Sequence, residues 1–130
     1  MITPDIWIPQ VVGYAALVSD DLGLRRAWVE RDYSSTSVTD YDELFVQMFE
    51  DLDVDGMEPE MSRVLDAERG GAIGRFLATL RNADRVFVAD ARYKDMGFLL
   101  KSPVWREVQQ AARRVVEAFA VRPWPAAGDS

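Results

Sequence analysis

From Thr39 to Ser62 the chain reads TDYDELFVQMFEDLDVDGMEPEMS, and apolar residues recur at helical spacing while every charge is negative. Leu44, Phe45, Met48, Phe49 and Leu52 fall at i, i+1, i+4, i+5 and i+8. Such a broad stripe suits one face of an α-helix and no β-strand. Each large side chain buried on it contributes ~1.5–3 kcal/mol before chain entropy is subtracted, so this helix should form a principal wall of the core. Asp40 stands where an N-cap belongs, with Glu43 at N3 in a variant of the capping box and Asp42 near the positive end of the dipole. At the far end, Asp55 and Gly56 are expected to stop the helix in a turn, and Glu58 with Pro59 to start the next one.

The rest of the chain is punctuated in the same way. Thr3 and Pro4 suit a short turn, but the sequence favours Pro9 as the first residue of the opening helix, with Trp7 and Ile8 packed back on it as a lid. Ser19, Asp20 and Asp21 supply cap chemistry for LGLRRAWVERD, whose Leu24, Trp28 and Val29 would face inward. Asp32 to Thr39 is polar and rich in Ser and Thr, the composition of a connecting loop. Gly70, Gly71 and Gly74 make a long helix through this region costly, which predicts a break near Leu65 and a new start capped by Asp66. Its inner face would carry Ile73, Phe76, Leu77 and Leu80. Val86 to Ala89 is too short an apolar run to separate a strand from buried helix by period, so one short strand stays an alternative. Asp90 is placed to cap ARYKDMGFLL, and Ser102 with Pro103 to open a final helix lined by Val104, Val108, Ala111, Ala112, Val115 and Phe119. Residues 121–130 read as a frayed tail in which Trp124 packs on the surface or stays exposed. The expectation is one mostly all-α domain over residues 1–130, with its core at about 5–120, built from about five or six short helices.

Composition narrows the chemistry. The chain has no Cys and no His, so thiolate nucleophiles, disulfides and Cys-ligated zinc are excluded, and Ser34 or Ser35 has no imidazole to activate it. No phosphate-cradling or nucleophile-elbow motif is present, which disfavours an enzyme, and no cofactor is expected. Neither a signal-peptide pattern nor a run of ~18 apolar residues is found, so the cytoplasm is the expected compartment and no membrane partner is anticipated. The net charge is −7, yet ten carboxylates and no Lys or Arg lie between Asp32 and Ser62, and the remaining chain sums to +3. The acidity is local. It argues against direct contact with nucleic acid and for a basic protein partner.

Asp51, Asp53, Asp55 and Gly56 resemble the first half of an EF-hand calcium loop, D-x-D-x-D-G. That chemistry needs a bidentate Glu at position 12, where this chain has Ser62, and position 9 is Pro59. Calcium binding through the Asp51–Gly56 turn is therefore a third reading, and no metal site is expected. Carboxylates crowding the negative end of a helix disfavour folding, which hints at a partner that neutralises them. A nuclease inhibitor can offer carboxylates where phosphates would sit, and Tyr33 and Tyr41 are candidate aromatic anchors for such a contact.

Three segments, RRAWVERD, YDELFVQMFEDLDVD and SPVWREVQQAARRVVEAF, carry a wider resemblance. Over Leu24 to Phe119 the chain resembles small, acidic, cysteine-free bacterial immunity proteins of contact-dependent inhibition and polymorphic toxin systems. The resemblance implies an antitoxin that binds and neutralises a cognate toxin domain, for which a nuclease is expected, and it nominates the acids of the central helix and turn. The candidate interface comprises Tyr33, Asp40, Tyr41, Asp42, Glu43, Glu50, Asp51, Asp53, Asp55, Glu58 and Glu60. The alternative is a stress-related or regulatory protein-interaction module without any toxin. Nothing in the sequence sets the oligomeric state.

Overall fold

A computed structural model describes residues 3–124 of the chain, which form seven α-helices and, among the described residues, no strand. Helix α1 spans Pro4–Ser19 with Thr3 at its N-cap and Pro4 in its first turn. It runs through Pro9, where the sequence led us to expect its start. An interior proline costs ~3 kcal/mol. The cost is offset because the longer helix carries Trp7 and Ile8 into the core, both at 0% exposure, while Pro9 itself points to solvent.

Asp20 caps α2, Asp21–Leu24, by accepting a hydrogen bond from the Gly23 N–H at 3.0 Å. The helix widens directly into a π-helical turn, Arg25–Val29, in which the Glu30 N–H reaches back to the Arg25 carbonyl at 3.0 Å. A further bond from the Asp32 N–H to the Arg26 carbonyl (2.8 Å) closes the end, with Arg31 left-handed at φ 59°. The wider turn changes which side chains face inward. Leu24, Ala27 and Trp28 are buried, but Val29, expected inside, is 48% exposed. The following loop is held down by the indole N–H of Trp28, which donates to the Val38 carbonyl at 3.0 Å.

Helix α3, Tyr41–Val46, begins as expected, with the Asp40 carboxylate accepting from the Glu43 N–H at 2.8 Å. It too passes into a π-helical turn, Gln47–Asp51. Leu44, Met48 and Leu52 are buried, whereas Phe45 and Phe49 are half-buried and stacked on one another with centroids 4.3 Å apart. The expected turn at Asp55–Gly56 is not where the chain bends. The bend is at Asp53, which is left-handed (φ 52°, ψ 55°) and at once caps α4, Val54–Val64, by accepting from the Gly56 N–H at 3.3 Å. A short carboxylate tolerates this backbone region and reaches the helix start. Gly56 and Pro59 therefore lie inside α4 and neither ends nor starts a helix, and Pro59 faces solvent as Pro9 does.

The break at Leu65 and the Asp66 cap appear as predicted, but α5, Ala67–Ala89, is a single long helix. It absorbs the three glycines and also Val86–Ala89, which removes the alternative of a strand. Ile73, Phe76, Leu77, Leu80 and Ala83 form a fully buried face, enough to outweigh the glycines. Asp90 caps only a 3₁₀ turn, Ala91–Lys94, and Asp95 caps a separate α6, Met96–Leu100, so the single helix expected after Asp90 is divided. The Ser102 hydroxyl accepts from the Trp105 N–H at 3.0 Å and opens α7, Pro103–Val121.

Helix α7 packs against both α1 and α5 and forms the spine of the core. Its buried Gln109 donates to the Val18 carbonyl at 3.2 Å, satisfying an acceptor that the end of α1 leaves open. The other end of the spine is fastened by Arg69 of α5, only 1% exposed. Its guanidinium pairs with Asp66, donates to the carbonyls of Arg122 (3.2 Å) and Pro123 (3.3 Å), and lies over Phe119 and Trp124. Of the tail expected to fray, residues 122–124 are thus held against the core, with Trp124 half-buried, and 125–130 lie outside the described residues. Among the described residues no helix is long and apolar enough to cross a membrane.

Arg69→Met removes a buried cation from its partners and should lower stability by roughly 3 kcal/mol in urea unfolding, with a red shift of Trp124 fluorescence. The Arg69 hydrogen bond holds Asp66 below the usual carboxylate range. Its stabilising effect is therefore complete above that range and disappears as pH falls through the folded-state value. The stability difference between the parent and Asp66→Asn should be largest near neutrality and shrink in acid.

Candidate functional site

The π-helical end of α3 and the cap at Asp53 decide how the nominated acids are displayed. Asp42, Glu50 and Asp51 are exposed, and among the described residues none of their carboxylates forms a hydrogen bond or ion pair. Glu43 is half-buried and accepts from the Gln47 side-chain amide at 2.9 Å, while the Gln47 carbonyl oxygen accepts from the Tyr14 hydroxyl of α1 at 2.9 Å. The Tyr14 phenol is pushed up from its ordinary pKa, first by burial and then by the charges of Asp51 and Glu43. The fields of these two carboxylates thus overlap on one side of α3, although the residues are two turns apart.

The other nominated residues separate from this face. Tyr41 is 3% exposed and is a core residue, not an anchor for a partner. Its hydroxyl donates to Asp84 at 2.8 Å and its ring meets Phe87 edge-on at 5.0 Å; burial, then the Asp84 bond, drives the phenol pKa far up. Tyr33 stays available in the loop at 45% exposure. Asp40 and Asp53 are caps. Asp55 and Glu58 are both taken by Arg81 of α5, whose Nε lies 3.1 Å from Asp55 and Nη2 2.8 Å from Glu58. The same guanidinium covers the Phe49 ring at 5.4 Å. Glu60 pairs with Arg63 on the outside of α4 at 3.3 Å.

A stretch without any base in sequence therefore acquires one from a helix packed beside it, and the ten carboxylates do not act as one patch. The calcium-loop half-motif also comes apart. Asp53 caps α4, Asp55 binds Arg81, and Asp51 acts on Tyr14. Among the described residues no group of three or more acidic side chains is placed to hold a metal ion. What remains is the stretch from α3 through its π-helical turn, with Asp42, Glu50 and Asp51 exposed and Glu43 half-buried, able to offer negative potential to a basic surface.

Sequence reading missed Tyr14, Asp84 and Arg81, which come from α1 and α5. Nothing local marked them, because each is joined to the acidic segment only by tertiary packing. Comparison with protein-family models, with curated proteins and with solved structures gives no match.

Arg81→Gln tests the partition of charge. Its ion pairs are partly exposed, so the loss of stability should stay within ~1 kcal/mol. Thermal unfolding in low salt should reveal the loss, and about 1 M NaCl should largely abolish it by screening the released carboxylates.

Proposed function

We propose that this chain is a non-enzymatic antitoxin, an immunity protein that acts in the cytoplasm by binding a basic cognate toxin domain, a nuclease, and occluding its cleft with carboxylates. The observation that carries this reading is the exposure of Asp42, Glu50 and Asp51 without ion pairs, on the same helix whose other acids are engaged. Unpaired like charges on one helix repel one another, and a basic partner relieves that repulsion. Such a field raises the rate of encounter, while affinity comes from apolar contacts near it. Tyr33, exposed in the loop before α3, is the aromatic candidate for contact with a partner.

The test is whether a basic toxin-like reading frame lies beside the gene for this chain, whether this chain protects cells from its product, and whether the two proteins co-purify. The double variant Glu50→Lys/Asp51→Lys should lose protection and associate about tenfold more slowly at low ionic strength, with the difference narrowing in salt. Failure of the parent protein to bind or protect, or unchanged association of the variant, would sink the reading.

A further inference from the structure

We infer that the groove between the start of α3 and the end of α5 seats an arginine side chain of a basic partner protein. This deepens the function proposed above and rests on it. The groove has a volume of about 590 Å³ and is lined by Asp40, Tyr41 and Asp42 on one side and by Asp84, Phe87 and Val88 on another. Ala91, Tyr93, Lys94 and Met96 close it. Most of this lining is apolar, and Val88 is left 77% exposed at its edge.

Three properties select the occupant. First, three carboxylates face one cation, Lys94, so the groove keeps a net negative charge. Arg92, close by in sequence, is already bound to Asp90 at 2.7 Å and does not change that balance. Second, the C-terminus of α5, the longest helix, ends here with no basic residue in its last turn. The negative end of its dipole adds to the carboxylate field. Third, the apolar lining suits a side chain with a long hydrocarbon stem, and the half-buried Tyr93, whose ring packs on the buried Phe87 with centroids 4.8 Å apart, is an aromatic neighbour that favours a planar guanidinium over a compact ammonium. A metal ion would find little use for the apolar walls. An anion would meet the wrong charge.

The groove lies at the N-terminal end of α3, and the unpaired Glu50 and Asp51 lie in the π-helical turn that follows it. Asp84 is the groove's fixed acid, because the Tyr41 hydroxyl holds one of its oxygens.

The test uses a capped tri-arginine peptide and its tri-citrulline analogue, which keeps shape and loses charge, titrated into ¹⁵N-labelled protein at low salt. The arginine peptide should shift amides of residues 84–96, and the citrulline peptide should not. Val88→Arg, at a solvent-exposed position, should abolish these shifts. Asp84→Asn, which keeps an acceptor for Tyr41, should weaken binding about fivefold, and Lys94→Ala should strengthen it about twofold. Shifts confined to the Glu50–Asp51 end, equal binding of citrulline, or indifference to Val88→Arg would overturn the inference. No toxin enters this experiment, so its failure is separate from that of the protection assay. Protection that survives Val88→Arg would likewise count against the groove alone.

Discussion

Trp105 sits in the first turn of α7, fixed there by the Ser102 cap, and its indole is the surface on which three distant stretches meet. Trp28 from the π-helical turn lies 5.6 Å away, Tyr41 from α3 6.1 Å away and edge-on, and Phe87 from α5 6.4 Å away. Each aromatic pair is worth ~0.5–1.5 kcal/mol beyond the area it buries. Each partner also carries something outward. Trp28 holds the loop through Val38, Tyr41 binds Asp84, and Phe87 continues to Tyr93 at the groove. The acidic helix and the groove beside it are therefore mounted on one indole.

The elements that were legible in the sequence are those set by local chemistry. Asp40, Asp66 and Ser102 all cap helices where their spacing to the next apolar face predicted, and the inner face of α5 was correct at every residue. Where local rules failed, burial outweighed them. Pro9 and Pro59 lie inside helices because the turns around them hold Trp7, Ile8 and Met61 in the core. Val29 escaped because a π-helical turn adds a residue that 3.6-periodicity does not count. The candidate site was less legible. Its acids were visible, but nothing near Asp55 in sequence announces Arg81, and nothing near Tyr41 announces that its hydroxyl would be used by Asp84.

The arginines show how charge is sorted by the fold. Arg69 is buried with its hydrogen bonds filled, a geometry that the planar, multiply donating guanidinium satisfies and a lysine would not. Arg81 lies at the boundary, with one face on Phe49 and one edge on two carboxylates. Both neutralise acids on α4 or just after it, and neither reaches Asp42, Glu50 or Asp51. The negative field is thereby concentrated on α3 although the acids run on through the sequence to Glu60.

Asp53 is one residue serving two helices, the left-handed exit from the first and the cap of the second. Only Leu52 and Asp53 separate the acidic π-helical turn from α4. Glu50 and Asp51 therefore stand a few residues from Asp55 and Glu58, which Arg81 ties to the longest helix of the core. A partner seated on those two acids would sit beside the ion pair that fastens α4 to α5.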